Sequence, residues 1–344
     1  MKSKLPALAL TFLLLLGLVA LTGCGVDNEE QGKTGIEIAN QPKQKHHLAF
    51  SGGPTGGTFN FFANKISSAA TRTFDYFDVS PKGSGGSADN LRALDDGSVD
   101  FGIVYSGDAH LGRNGQLPGN DHRFTEVRAL AFLYGAPAQL VVRKDSGITL
   151  PAQLAGKVVA VGNEGSGAAL SAERFFSFLG LWDKITIRNL GYSQAAADFS
   201  KGESDAFWVL SGYPNSAVIE AAAREPILLL ALDQDGRKSG FYDALPFYSP
   251  RAIPAGTYQG QDALVATFQD VALLCASAHT PESVVYDLLS AIFSEQGLKD
   301  MAAAHRAARD MTIENGLKGV TIPLHPGAIR FWEQQGLFIP ERLK

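Results

Sequence analysis

The chain has 344 residues, two cysteines and a formal net charge of −5 at neutral pH. About 300 residues remain beyond the N-terminal segment, a length that suits two domains better than one. An acidic chain without a basic run argues against a nucleic-acid partner.

The first residues predict export from the cytoplasm. Lys2 and Lys4 precede an almost unbroken apolar run at positions 7–21, which suits a signal peptide and is short for a transmembrane helix. The run ends in LTGC at positions 21–24, which resembles the bacterial lipoprotein box; an ordinary signal peptide with a chance cysteine is the alternative. We therefore expect residues 1–23 to be a lipoprotein signal peptide and Cys24 to be the lipidated mature N-terminus.

A polar stretch follows the lipidated cysteine, and it is predicted to be flexible. Residues 24–45 offer little that could pack, and such a composition cannot offset the entropy lost on ordering. They are expected to tether a periplasmic or cell-surface lipoprotein, anchored in the membrane through Cys24. Acylation would leave no disulfide partner for Cys275, which lies in the apolar run Val271–Ala276 and is expected to be a buried structural thiol.

From His47 onward, short apolar runs alternate with helical segments, which is typical of layered α/β folds. The predicted strands are Leu48–Phe50, Phe77–Ser80, Val99–Tyr105, Gln139–Arg143, Val158–Val161, Asp205–Leu210, Ile227–Leu232 and Val271–Ala276. The predicted helices are Thr58–Thr71, Ser87–Asp95, Leu150–Leu154, Ala168–Leu179, Ser216–Arg224, Pro281–Ser294 and Gly327–Gln335.

Three glycine-rich turns, Ser51–Gly57, Gly83–Gly86 and Gly162–Gly167, each lead into a predicted helix. Glycine lets the backbone approach a ligand, and the first turn of a helix presents unpaired N–H groups with about half a positive charge. Such a terminus receives a carboxylate or phosphate without a dedicated arginine. A hydroxyl stands at or near each cap position: Thr58, Ser87 and Ser166. The alternative is that these residues only cap helices and shape turns, but three such turns together favour an anion site.

Motifs of several enzyme classes are missing from the sequence. The turn at Gly165 lacks the third glycine of a dinucleotide fingerprint, and the turn at Gly52 lacks the lysine of a phosphate-binding loop. No serine stands in G-x-S-x-G, and the histidines show no metal-ligand spacing. We therefore expect no catalytic residue, no metal site and no cofactor.

Four stretches, in the right order, resemble the solute-binding subunits of tripartite ATP-independent periplasmic (TRAP) transporters, specifically the TAXI class. They are Ser51–Phe59, Gly83–Leu91 with Asp96–Val104, Gly156–Gly162 with Gly165–Gly167, and Ile322–Ile329. Together they span about His47 to Gly336. One departure is Tyr105-Ser106-Gly107-Asp108, where the family often has Gln-Ser-Asp, so this chain has an added glycine in the pocket floor.

The resemblance implies a type II periplasmic-binding-protein fold of class α/β, with two lobes joined by crossover strands. Lobe 1 would comprise residues 46–135 plus 246–344, and lobe 2 residues 136–245. The hinge would lie near Leu133–Ala138 and Asp243–Phe247.

The same resemblance implies a function. The lobes would close around a small anionic ligand, mainly a carboxylate such as glutamate or a dicarboxylate, and deliver it to a membrane permease driven by an ion gradient. One alternative is a sensor that presents the closed lobes to a membrane receptor. Another is an enzyme on a two-lobe fold with a cofactor on cysteine, for which Cys275 is poorly suited because no basic residue lies near it in the sequence.

The expected ligand-binding residues flank the glycine-rich turns or follow a strand: Gly57, Thr58, Phe59, Gly86, Ser87, Tyr105, Ser106, Ser166, Gly167 and Tyr213. A ligand carboxylate would lie against the turns before Thr58 and Ser87, with Ser166 closing from the other lobe. The rings of Phe59, Tyr105 and Tyr213 would wall the carbon chain of the ligand. Packing in the core is the alternative for these aromatic residues.

Overall fold

The alternation of strands and helices predicted from the sequence is present in a computed structural model, which describes residues 45–344. The strands are β1 (His46–Ser51), β2 (Phe77–Lys82), β3 (Phe101–Tyr105), β4 (Val127–Arg143), β5 (Val158–Ala160), β6 (Thr186–Arg188), β7 (Ala206–Leu210), β8 (Ile227–Leu229), β9 (Ser249–Ile253) and β10 (Val265–Ser277). The predicted signal peptide, the lipidated Cys24 and the tether lie outside the described residues, apart from Lys45 at the end of the tether.

Helices connect most of these strands. They are α1 (Thr58–Thr73), α2 (Ser87–Asp95), α3 (Ser106–Arg113), α4 (Gly167–Phe178), α5 (Tyr192–Ser200), α6 (Ser216–Arg224), α7 (Asp233–Lys238), α8 (Phe241–Ala244), α9 (Glu282–Ile292), α10 (Glu295–Ala304) and α11 (Pro326–Gln334). Short 3-10 helices lie at Pro151–Leu154, Trp182–Lys184, Arg306–Asp310 and Glu341–Leu343. Among residues 45–344, no helix combines the length and the apolar character needed to cross a membrane.

The strands follow the order β2-β1-β3-β10-β4-β7-β5-β6, with β8 beside β4 and β9 beside β10. In the first lobe, β1 runs parallel to β2 and β3, and β10 is antiparallel to β3 and β4. In the second lobe, β4 is antiparallel to β7 and β8, and β5 is parallel to β6 and β7. The long strand β4 belongs to both lobes, so it joins the two sheets.

The change of partner along β4 locates the junction between the lobes. Its residues up to Pro137 pair with β10, and Ala138 onward pairs with β7. Every residue of β4 from Ala129 to Val142 is buried. A continuous buried run of this kind, apolar apart from Gln139, is typical of a strand covered on both faces. The predicted crossover at Leu133–Ala138 therefore lies within β4.

The second predicted crossover, at Asp243–Phe247, is wrong. The chain forms α8 and a turn there, and β9 and β10 provide the next strands. Phe241, at the start of α8, is fully buried and stacks on Tyr248 with ring centroids 4.7 Å apart. Phe268 packs against both rings. These contacts bury the residues on either side of the segment, whereas residues 243–247 themselves are exposed or partly exposed and form the end of α8 and a turn, not a strand.

Cys275 lies near the C-terminal end of β10, opposite Gly102 of β3 and Ala129 of β4. It is a free cysteine with no exposed surface. Burial raises the pKa of its thiol well above the ordinary range. The predicted buried structural thiol is thus confirmed.

Candidate functional site

A cavity lies between the two lobes, where helices from both begin. Eight predicted ligand-binding residues line it: Gly57, Thr58, Phe59, Gly86, Ser87, Tyr105, Ser166 and Gly167. The empty space, including its mouth, is about 440 Å³, and the centre of a water-sized sphere can reach about 40 Å³ of it. The lobes are therefore close together around a small enclosed space.

Four helix N-termini meet at this cavity. The N-cap residues of α1, α2, α4 and α5 all line it: Gly57, Gly86, Ser166 and Gly191. Helices α1 and α2 follow strands of the first lobe, whereas α4 and α5 follow strands of the second. None of the described residues that line the cavity is charged. The positive ends of the four helices therefore face this space without a carboxylate or a basic side chain in its wall.

Gly167 is a point of close contact between the lobes at this cavity. A Cβ atom placed on it would lie 2.5 Å from Cδ2 of Tyr105 and 2.8 Å from Cβ of Ser87. Any side chain at this position would push α4 away from α2 and β3. Gly86, which faces Ser166 across the same contact, has a φ of 125°, a conformation that residues with a side chain rarely adopt. The two glycines thus allow the two lobes to meet.

The predicted hydroxyl groups already have partners in the protein. Thr58 Oγ1 lies 2.8 Å from Ser211 Oγ, across the lobe junction. Ser87 Oγ accepts a hydrogen bond from the backbone N–H of Tyr105 at 2.9 Å, and Ser166 Oγ accepts one from a backbone N–H in the first turn of α4 at 3.1 Å. Since a hydroxyl carries one donor hydrogen and two acceptor lone pairs, these bonds leave the hydroxyl hydrogens of Ser87 and Ser166 able to donate.

Two tyrosines donate to the same backbone carbonyl. Tyr105 in the first lobe donates to Leu210 O at 2.6 Å, and Tyr192 in the second lobe donates to it at 2.7 Å. Burial raises the pKa of both phenols, so both are neutral donors at physiological pH. The ring of Phe59 packs against that of Tyr105, with centroids 4.6 Å apart. The Tyr105 hydroxyl therefore links the lobes and already has its acceptor.

The structure places the other two predicted residues outside the cavity. Ser106 Oγ donates to Gly319 O at 2.6 Å and lies 3.1 Å from the hydroxyl of Thr321. It begins α3, directly after Tyr105 at the end of β3. Tyr213 instead lines a separate pocket with arginine residues.

Several cavity residues were missed by the sequence analysis. Tyr192 and Asn163 line it, and so does Ser211, which directly follows β7. The carboxyl end of a strand and the single Gly191 before an alanine-rich helix were the available signals. Tyr134 is fully buried beside Thr58, and burial raises the pKa of its phenol well above the ordinary value.

A buried ion pair joins the lobes next to the cavity. Arg174 Nη2, on α4, donates to Asp108 Oδ1, on α3, at 2.8 Å. The side chains are 7% and 0% exposed. Arg174 Nη1 also donates to Tyr248 Oη at 3.1 Å. Although burial works to lower the pKa of Arg174, Tyr248 and Asp108 raise it on balance, so the guanidinium stays charged.

A second buried carboxyl group, Asp270 on β10, accompanies this pair. Its Oδ1 accepts hydrogen bonds from the backbone N–H groups of Gly107 and Val271, at 3.2 and 2.7 Å. Its Oδ2 has no partner within residues 45–344. Burial, and then the charge of Asp108, raise the pKa of Asp270 to about 8. The one guanidinium nearby, that of Arg174, is hydrogen-bonded to Asp108, and the second buried acid, Asp270, holds a proton at neutral pH.

Within residues 45–344, no group of three or more His, Cys, Asp or Glu side chains is placed to hold a metal ion.

Comparison with known proteins adds a family and a fold. The model of the NMT1-like family matches residues 50–336. MatC from Rhodopseudomonas palustris, solved with bound malate, is similar with a TM-score of 0.51 and 16% identity, covering 86% of this chain and 98% of that one. The periplasmic binding protein BugD is similar with a TM-score of 0.51 and 12% identity, covering 86% and 99%. At these identities the likeness concerns the fold, and it confirms the predicted type II periplasmic-binding-protein architecture.

Proposed function

The chain belongs to the NMT1-like family, and we propose that it is the extracytoplasmic solute-binding subunit of a TRAP transporter of the TAXI class. It captures a small carboxylate, an amino acid such as glutamate or a dicarboxylate, and delivers it to a permease driven by an ion gradient. One observation carries this proposal. Four helix N-termini, two from each lobe, meet at one cavity with no charged side chain in its wall.

The cavity chemistry favours an anion. Each helix N-terminus contributes about half a positive charge together with unpaired N–H groups. The hydroxyl hydrogens of Ser87 and Ser166 add one donor from each lobe. Any small anion would be attracted by these groups; the resemblance to the TAXI class narrows the anion to a carboxylate. The malate bound to MatC is an example of such a ligand on the same fold.

Closure follows from the division of these donors between the lobes. A ligand that contacts both lobes only when they are together shifts the open–closed equilibrium toward the closed state. The bonds from Thr58 to Ser211 and from Tyr105 to Leu210 also cross the junction, so they form on closure and break on opening. The permease would recognise the closed form as the loaded one.

We place the lobes at residues 46–135 plus 246–344 and at residues 136–245. The change of strand partner between Pro137 and Ala138 supports the first boundary. The mature protein is proposed to be a periplasmic or cell-surface lipoprotein, attached to the membrane through Cys24.

A thermal-shift screen of residues 45–344 with dicarboxylates, amino acids and 2-oxo acids tests the ligand class. A ligand at 100 times its dissociation constant should raise the free energy of unfolding by about 2.7 kcal/mol. If no compound of these three classes stabilises a folded sample, the carboxylate proposal is wrong.

Small-angle X-ray scattering on a hit then tests closure. We expect the radius of gyration to fall on ligand addition, and Gly167→Ala to lose both this change and most of the affinity, because its Cβ would meet Tyr105. Gly83→Ala is the matched control, since its Cβ would lie 3.8 Å from the nearest atom, Gly53 O. Binding without any change in scattering would contradict the closure mechanism.

Transport is tested separately, with the protein and a permease encoded beside its gene in the same vesicles. Uptake of the hit compound under an ion gradient, dependent on the binding protein, is expected. Binding without such uptake would remove the transport assignment and leave the binding function standing.

A further inference from the structure

A second polar pocket lies at the lobe junction, separated from the cavity by residues 211–213. Ser211 lines the cavity, whereas Tyr213 lines this pocket. Between them, a Cβ on Gly212 would lie 2.8 Å from Cβ of Ala307 and 3.4 Å from Cγ2 of Thr58. We call it the arginine pocket, after its polar lining: Tyr213, Arg251, Arg306, Arg309 and Asp310. The volume of the pocket that is open to the centre of a water molecule is about 190 Å³.

The tyrosine ring holds two of the guanidinium groups. The guanidinium carbons of Arg251 and Arg306 lie 5.9 and 5.7 Å from the centroid of the Tyr213 ring, within the range of cation–π attraction. Arg251 Nη2 also donates to Asp310 Oδ2 at 3.2 Å and lies 3.4 Å from Tyr213 Oη. Arg251 is therefore fixed in position by contacts on the ring, the phenol and the carboxylate.

The pocket carries uncompensated positive charge. Three guanidinium groups face one carboxylate, that of Asp310, which is already paired with Arg251. Arg306 and Arg309 have no ion-pair partner within residues 45–344. The cavity between the lobes, in contrast, has no charged residue in its wall. The arginine pocket therefore offers charged guanidinium groups to an anion, whereas the cavity between the lobes offers only uncharged donors.

We propose that the arginine pocket is a second anion-binding site, which takes a compact oxyanion with two negative charges, such as a phosphate group. The planar, multiply donating guanidinium matches the oxygen geometry of such an anion better than that of a halide. The site draws its residues from the segment after β7, from β9 and from the 3-10 helix at 306–310. A bound anion connects a loop that follows a second-lobe strand to a turn that packs on β4.

Titration calorimetry with inorganic phosphate, at constant ionic strength balanced with sodium chloride, tests this proposal. We expect saturable binding of one phosphate per chain, weakened at least about 10-fold by Arg306→Gln and by Arg309→Gln, since each removes a charged donor. Both side chains are exposed, so the variants should fold, which a melting curve verifies. Arg123→Gln removes the same charge from the exposed loop after α3 and should leave phosphate affinity unchanged.

Three results would overturn the proposal. They are the absence of saturable phosphate binding, an equal loss of affinity in Arg123→Gln, and a loss in Ser166→Ala, which would place the phosphate between the lobes. The first two results leave the carboxylate proposal untouched, because that proposal depends on other residues and is tested with other compounds.

Discussion

Arg174 and Asp108 form an ion pair across the lobe junction, with Nη2 and Oδ1 2.8 Å apart and both side chains almost fully buried. The two residues are 66 positions apart in the sequence and lie on helices of different lobes. Charges removed from water in this way cost free energy unless each has its partner, so the pair couples the stability of the fold to the contact between its lobes.

Removal of the arginine should therefore be strongly destabilising. We expect Arg174→Met to lower the free energy of unfolding by about 3–5 kcal/mol, because Asp108 is left buried without its partner. Urea unfolding measures the change. The matched control is Lys299→Met, which breaks an exposed pair with Glu295 and should cost less than about 1 kcal/mol. Equal losses in the two variants would show that the buried pair does not stabilise the protein.

The proton on Asp270 should make stability depend on pH. Its pKa is about 8 in the folded protein and about 3.9 in an unfolded chain. Because the folded pKa is the higher one, this stabilising contribution is complete below about pH 4 and is lost as the pH rises through about 8. The loss can reach about 1.4 kcal/mol per pH unit. In Asp270→Asn the side chain does not titrate, so the stability of this variant relative to the wild type should increase as the pH rises from about 4 through about 8.

Urea unfolding of both proteins at about pH 5 and about pH 8 measures this difference. The exposed Asp262→Asn serves as the control, and its offset from the wild type should be the same at the two pH values. If the offset of Asp270→Asn is equally constant, the buried acid does not retain its proton in the folded state.

Ser166 should contribute both to helix capping and to ligand affinity. Ser166→Ala removes the N-cap bond of α4, and Ser294→Ala removes the equivalent bond of α10, away from the cavity. Each should cost about 1 kcal/mol of stability. Only Ser166→Ala should also weaken carboxylate binding, by roughly 10- to 150-fold, as expected for a hydrogen bond to a charged group. Calorimetry that gives the same affinity for the two variants would exclude Ser166 as a ligand contact.

Tyr105 and Tyr192 offer a comparison within one site, since both phenols donate to Leu210 O. Only the bond of Tyr105 crosses between the lobes. We expect Tyr105→Phe to favour opening and to increase the radius of gyration of the ligand-free protein, whereas Tyr192→Phe should leave it unchanged. Small-angle scattering measures both. The same radius for the two variants would mean that the Tyr105 bond does not hold the lobes together.

Cys24 should be the site of lipid attachment. The wild-type protein is expected in the membrane fraction with a lipid-modified Cys24 at its N-terminus, which mass spectrometry detects. Cys24→Ser should abolish this modification. A mature wild-type protein that is soluble and begins beyond residue 24 would contradict the prediction.

The sequence predicted the strands well where apolar residues are continuous, as in β3 and β7, which are buried at every position. It did not predict α3, because Ser106–Arg113 has little apolar periodicity and follows β3 without an intervening turn. Residue patterns by themselves, without the family resemblance, predicted only the end of β4, because the alanines and Gly135 in this strand have weak strand propensity. Pairing with β10 and β7 overrides that preference.

The candidate site was also predicted only in part, because only some of its residues lie in recognisable sequence patterns. Runs of glycine before α1, α2 and α4 indicated three helix N-termini, whereas the single Gly191 before α5 gave a weaker signal. The partners that cross the junction, such as Ser211, are defined by tertiary contacts between distant parts of the chain. Local patterns carry no information about such contacts.

The burial of Cys275 has a practical consequence for measuring solute binding. A protein that begins after Cys24 has this single thiol, which has no exposed surface and a raised pKa and so reacts poorly with labelling reagents. Ile219 is 49% exposed and lines a surface groove together with Thr58. A cysteine introduced at this position would be the one thiol that a fluorescent dye could modify. The emission of that dye would change as the lobes move, which would convert the protein into an optical sensor for its own ligand.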